Sequence, residues 1–170
     1  MNTTVTFKPR PSQGWLWLAL LGILVLAAIV PPLFTVLQED VPAGLLLPFV
    51  IGIVIGGGAL ALAAMFPTMR YEMRPTTLAL IFGPWTVYEI PYSEIKKVSW
   101  QNLSVSILSS FRLPGFAMWS VPYNDAGTVK MCATACANHI LLIRTAKDQF
   151  GITPADEQGF LAELMARVKG

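Results

Sequence analysis

Two long apolar runs near the start of the chain limit its fold more than any other feature. Trp15 to Leu37 and Gly44 to Phe66 contain no charged side chain, and a short polar break, Gln38 to Ala43, separates them. About 20 apolar residues in a helix cross a hydrocarbon core about 30 Å thick, and each run is that long. Lipid offers backbone groups no hydrogen-bond partners, so each run is expected to be a helix and the pair a transmembrane hairpin. The alternative is a buried hairpin in a soluble core. A chain of 170 residues is short for surrounding two helices that are apolar all round.

The expected organisation has three parts. Residues 1–14 form a polar cytoplasmic flank, extended or disordered. Residues 15–66 form the hairpin, with spans at 15–37 and 44–66. Residues 67–170 form one soluble domain. The first run is too long for a signal-peptide core and lacks a small-residue cleavage site, so an uncleaved anchor is expected. Lys8, Arg10, Arg70 and Arg74 flank the outer ends of the runs, whereas the break carries Glu39 and Asp40 and no Lys or Arg. The positive-inside rule then places both termini in the cytoplasm of a two-pass protein of the cell (inner) membrane. Pro31-Pro32 is expected to kink or end the first helix.

Gly52, Gly56, Ala59 and Ala63 make a small-residue seam on the second span. Such seams let backbones approach closely, either against the first span near Gly22 or against another chain. Neither run carries an ionisable residue, which argues against a pump or channel. The net charge of +2 offers no basic stripe for nucleic acid.

After Pro67 the texture becomes alternating. Strands are expected at 68–74, 77–82, 85–90, 96–103, 128–133, 139–145 and 149–153, joined by Gly and Pro turns. Residues 121–127 read as a loop. Thr153 is the expected N-cap of a final helix with Pro154 at its first position. Phe160, Leu161, Leu164, Met165 and Val168 form its apolar stripe.

Three short motifs give this part a family likeness. They are Ile90-Pro-Tyr-Ser-Glu-Ile95, Arg112-Leu-Pro-Gly115, and Ile152-Thr-Pro154 leading to Phe160-Leu161. Residues 68–168 resemble the bacterial pleckstrin-homology (PH)-like domains, many of which follow transmembrane helices. The resemblance implies a membrane-anchored α+β fold: a hairpin followed by an antiparallel β-barrel or sandwich of about seven strands, capped by a C-terminal α-helix. The segment Cys132 to His139 departs from the pattern. Phosphoinositide recognition does not carry over, because the first hairpin loop, Arg74 to Thr77, holds one basic residue.

Cys132, Cys136 and His139 are the only thiols and the only imidazole. Their spacing, C-x3-C-x2-H, is not a familiar zinc or haem pattern, and a buried small residue, a turn residue and a surface imidazole are expected instead. Arg112, Pro114 and Gly115 are the candidate partner-binding residues, with a loop-stabilising role for Arg112 as the alternative. No catalytic constellation can be assembled, and no cofactor or metal is expected. The expected function is a non-enzymatic interaction or scaffolding module held at the bilayer, with a membrane or cytoplasmic protein as partner. A second copy of the chain remains open as that partner. Two alternatives stand: an accessory subunit of a larger membrane complex, and a metal- or redox-responsive protein using Cys132, Cys136 and His139.

Overall fold

The computed structural model describes residues 3–38, 42–104 and 112–169. Glu39 and Asp40 of the expected turn lie outside them. The chain divides into two compact units. One is the hairpin, Gly14–Met65; the other joins the flank up to Gln13 with everything from Phe66 onwards.

The hairpin consists of α1 (Gly14–Val36) and α2 (Leu47–Met65), the second preceded by a 3-10 turn at Ala43–Leu46. Both helices are long and apolar enough to cross a membrane. The helix α1 does not end at Pro31-Pro32 but continues to Val36. The two prolines lie within its last two turns, where the Thr35 hydroxyl bonds the Pro32 carbonyl at 2.7 Å. Gly52, Gly56, Ala59 and Ala63 are the buried residues of α2. A Cβ on Gly22 would lie 2.8 Å from the Gly56 carbonyl, and one on Gly56 would lie 2.8 Å from Leu26 Cγ. The helices thus meet through glycines. Elsewhere they present large apolar side chains outward, including Phe34, 63% exposed, and Val54, 67% exposed. A helix in a soluble core would bury such residues.

Among the described residues the other unit holds ten strands in two sheets. The first sheet is β1 (Val5–Phe7), β2 (Arg70–Met73), β3 (Thr77–Phe82) and β4 (Trp85–Pro91), in that order. The second sheet is built from β5 (Lys97–Gln101), β6 (Arg112–Leu113), β7 (Phe116–Tyr123), β8 (Gly127–Ala133), β9 (Ile140–Arg144) and β10 (Gln149–Ile152). Its order is β5-β9-β10-β8-β7-β6. Every pairing is antiparallel except β10 with β8. The helix α3 (Glu157–Lys169) follows.

Three expectations are corrected. The flank is not a free tail: Val5, Thr6 and Phe7 pair with Met73, Glu72 and Tyr71. The flank then runs along the entry to α3, with Arg10 N bonding the Thr153 carbonyl at 2.7 Å and Ala155 N the Lys8 carbonyl at 3.0 Å. The hairpin is therefore inserted between the first and second strands of a sheet. Second, Val121, Pro122 and Tyr123 end β7 rather than forming a loop. Among the described residues β6 covers only Phe116 and Ala117 of that strand, and a proline is tolerated along an open edge. Third, Asp156 rather than Thr153 caps α3, its Oδ1 accepting from Gly159 N at 2.9 Å. Thr153 is fully buried, and its hydroxyl accepts from Thr134 N at 2.9 Å.

The core lies between the sheets and under α3. Phe160 and Leu164, one helical turn apart, are fully buried, whereas Met165 is exposed. Phe160 meets Phe7 and Tyr71 edge-on, at ring separations of 5.2 and 6.0 Å. Side chains of this size stabilise a fold by about 1.5–3 kcal/mol each when fully buried. The Tyr71 hydroxyl donates to the Cys132 carbonyl at 2.8 Å, which ties β2 to β8.

Candidate functional site

Arg112 and Leu113 form β6, paired with Ala117 and Phe116, and Pro114 and Gly115 make the turn between β6 and β7. Gly115 has φ 79°, a left-handed conformation that favours glycine. The turn is tied at two points. Ser12 Oγ donates to the Gly115 carbonyl at 2.6 Å, and the Cys136 thiol donates to the Leu113 carbonyl at 2.8 Å. Pro114 is exposed at the tip.

In the first hairpin loop Arg74 reaches Glu89 at 3.2 Å and Glu72 at 3.5 Å. Its backbone carbonyl accepts from Tyr92 Oη and from Arg167 Nη1, both at 2.9 Å. Glu89 also accepts from the Thr77 hydroxyl at 2.8 Å. That bond first, and Arg74 second, hold its carboxyl below the usual range. The cation of this loop is thus shared between two carboxylates, an arrangement that leaves little positive field for a phosphate.

Cys132, Cys136 and His139 are not brought together. Cys132 is fully buried in β8, and burial pushes its thiol up to about 12, so it stays protonated at neutral pH. Cys136 points at the β6–β7 turn, and the Tyr123 hydroxyl donates to its carbonyl. His139 faces the other way, stacked on Trp100 with ring centroids 4.5 Å apart. Its Nε2 lies 3.0 Å from both Glu157 oxygens. Among the described residues no three His, Cys, Asp or Glu side chains converge as metal ligands would.

Sequence reasoning did not find the cluster that His139 does join. Arg10 Nη2 bonds Glu157 Oε1 at 3.0 Å and the His139 carbonyl at 3.3 Å. The group ties the flank to β9 and to the first turn of α3. These residues lie far apart in the chain, and only the solitary imidazole offered a signal. Arg167 was missed likewise. Its side chain, 7% exposed, bonds Glu163 at 2.6 Å, the Arg74 carbonyl at 2.9 Å and the Thr3 carbonyl at 3.0 Å.

A family model described as a bacterial PH domain matches residues 69–168. The chain belongs to the bacterial PH domain family. No curated protein and no solved structure matches it. In this PH domain the match starts just before β2, so β1 lies outside the matched residues while pairing in register with the sheet inside them. A groove of about 250 Å³ between β4 and the β9–β10 turn is lined in part by Tyr88, Glu89, Glu94, Lys130, Asp148 and Phe150. Lys130 there pairs with Asp148 at 2.7 Å and sits 5.6 Å from the Phe150 ring centre. Three carboxylates against one engaged cation suit a phosphate poorly.

Proposed function

We propose that this PH domain protein is a non-enzymatic interaction module, anchored to the cell membrane by its hairpin and displayed on the cytoplasmic face. The observation that carries the reading is the pairing of β1 with β2. Residues on both sides of the hairpin belong to one folded body, so both ends of the hairpin lie on the same side of the bilayer. Lys8, Arg10, Arg70 and Arg74 make that side the cytoplasm. The flank's place in the sheet also argues against cleavage after α1. A protein partner is favoured over a phosphoinositide because Arg74 and Lys130 are both engaged by carboxylates. Arg112, Pro114 and Gly115 remain the proposed partner-binding turn. The seam of Gly52, Gly56, Ala59 and Ala63 is assigned to packing within the hairpin, where Gly22 and Leu26 meet it.

Purification of the full chain from native membranes in mild detergent tests the reading. A stoichiometric protein partner is expected, and it should be lost when only residues 14–68 are retained as bait. Retention of that partner by the hairpin alone would move the interaction into the membrane and contradict the proposal.

A further inference from the structure

Four segments of the PH domain meet at one end. The chain enters the hairpin after Ser12, which bonds the Gly115 carbonyl in the β6–β7 turn. It returns from the hairpin at Phe66, whose ring lies 5.5 Å from that of Phe116. Phe116 in turn lies 5.8 Å from Phe82, the last residue of β3. The β3–β4 turn is pinned to the return segment, since Gly83 N donates to Thr68 Oγ1 at 2.8 Å. The Gly83-Pro84-Trp85 turn is therefore hydrogen-bonded to a residue only three positions beyond the last residue of α2.

The chemistry at this end is distinctive. Pro67, Pro84 and Pro114 are exposed, and Trp85 is 59% exposed. Of the cations in these segments, Arg70 pairs with Glu72 at 2.9 Å and Arg10 with Glu157 at 3.0 Å, so the indole rather than charge distinguishes this end. An indole left open to solvent at a tip is costly, but it suits the headgroup level of a bilayer, where an apolar ring and a polar N–H are both accommodated.

We infer that the Gly83-Pro84-Trp85 turn is a third membrane contact: Trp85 seats in the lipid interface and fixes the orientation of the PH domain on the bilayer. The inference rests on the reading that the hairpin spans the membrane. The seat is made by the β3–β4 turn itself and needs no bound phosphate.

The test uses the full chain with Cys136→Ala, in vesicles of phosphatidylcholine and phosphatidylglycerol. The buried Cys132 stays unlabelled. An environment-sensitive fluorophore is attached at Pro84→Cys, at Lys147→Cys or at Ile55→Cys, and quenched by lipids spin-labelled at shallow or deep positions. Lys147 belongs to the β9–β10 turn; beside that turn, Gln149 bonds the Ala126 carbonyl, at the end of β7 and β8 away from Phe116. Shallow quenchers should remove most of the emission at position 84 and little at 147. Trp85→Ala should reduce quenching at 84 without changing the melting of the domain. Quenching at 84 no stronger than at 147, or unaffected by Trp85→Ala, would overturn the inference. Position 55 separates the two readings. If deep quenchers fail there, the membrane hairpin itself is wrong; if they succeed while 84 stays bright, only the third contact is wrong.

Discussion

Leu164→Asp unfolds the PH domain while leaving the hairpin in place. Leu164 is fully buried one turn after Phe160, on the face of α3 that covers the sheets. The near cation of the helix, Arg167, already serves Glu163 and the Arg74 and Thr3 carbonyls. An unpaired buried charge costs about 3–5 kcal/mol. That is comparable with the whole stability of a small domain, about 5–15 kcal/mol. In detergent-solubilised full-length protein the near-ultraviolet circular dichroism should collapse, and trypsin should cut within 66–169. Met165→Asp, one residue on and exposed, is the control and should melt like the wild type. A cooperative wild-type-like melt for Leu164→Asp would mean that α3 does not pack on the core.

Arg167→Met loosens the flank. The substitution keeps an aliphatic stem but removes the donors that hold the Thr3 and Arg74 carbonyls and the Glu163 carboxylate. Hydrogen bonds to charged groups contribute about 1.5–3 kcal/mol each, with neighbouring bonds not additive, so a loss of about 3 kcal/mol is expected. For a domain of this size that lowers the melting temperature by more than about 10 °C. Hydrogen exchange should rise first in β1 and in the β2–β3 turn, the two segments the guanidinium joins to α3. Phe7→Ala acts on the same joint through the ring that meets Phe160 and should reproduce the pattern more weakly. Exchange that rises uniformly, with β1 no more affected than β9, would deny Arg167 this role.

The hairpin and the family motifs were legible because each is local. Apolar length needs no partner to be read, and Ile90-Pro91 or Ile152-Thr-Pro154 carries its meaning within a few residues. What was hidden depends on contacts between distant segments. Val5-Thr-Phe7 is three residues long with polar neighbours on both sides, and only its pairing with Tyr71 to Met73 makes it a strand. The strand β7 breaks the two-residue alternation: Phe116, Ala117 and Met118 are buried in succession, and Trp119 follows exposed with φ 63°. Pro122 then reads as a turn residue. The cap of α3 moved because Thr153 found a buried partner in Thr134, leaving Asp156 the first residue free to meet an orphan N–H. At the candidate site, the β6–β7 turn was visible from Pro114-Gly115. The two facts that give it context, its bond from Ser12 and its neighbour Phe66, come from opposite ends of the hairpin and leave no mark in the sequence.

The central claim is that the flank and the family domain form one body on the cytoplasmic side, with the hairpin inserted between them. Single cysteines at Thr3, Gln38 and Lys147, all exposed, test it most directly. They are placed in full-length protein carrying Cys136→Ala and treated in intact cells with a membrane-impermeant thiol reagent. The account predicts labelling of Gln38→Cys from outside, and of Thr3→Cys and Lys147→Cys only after the cells are opened. Labelling of Thr3→Cys and Lys147→Cys on opposite sides of the membrane, or of both from outside intact cells, would contradict it.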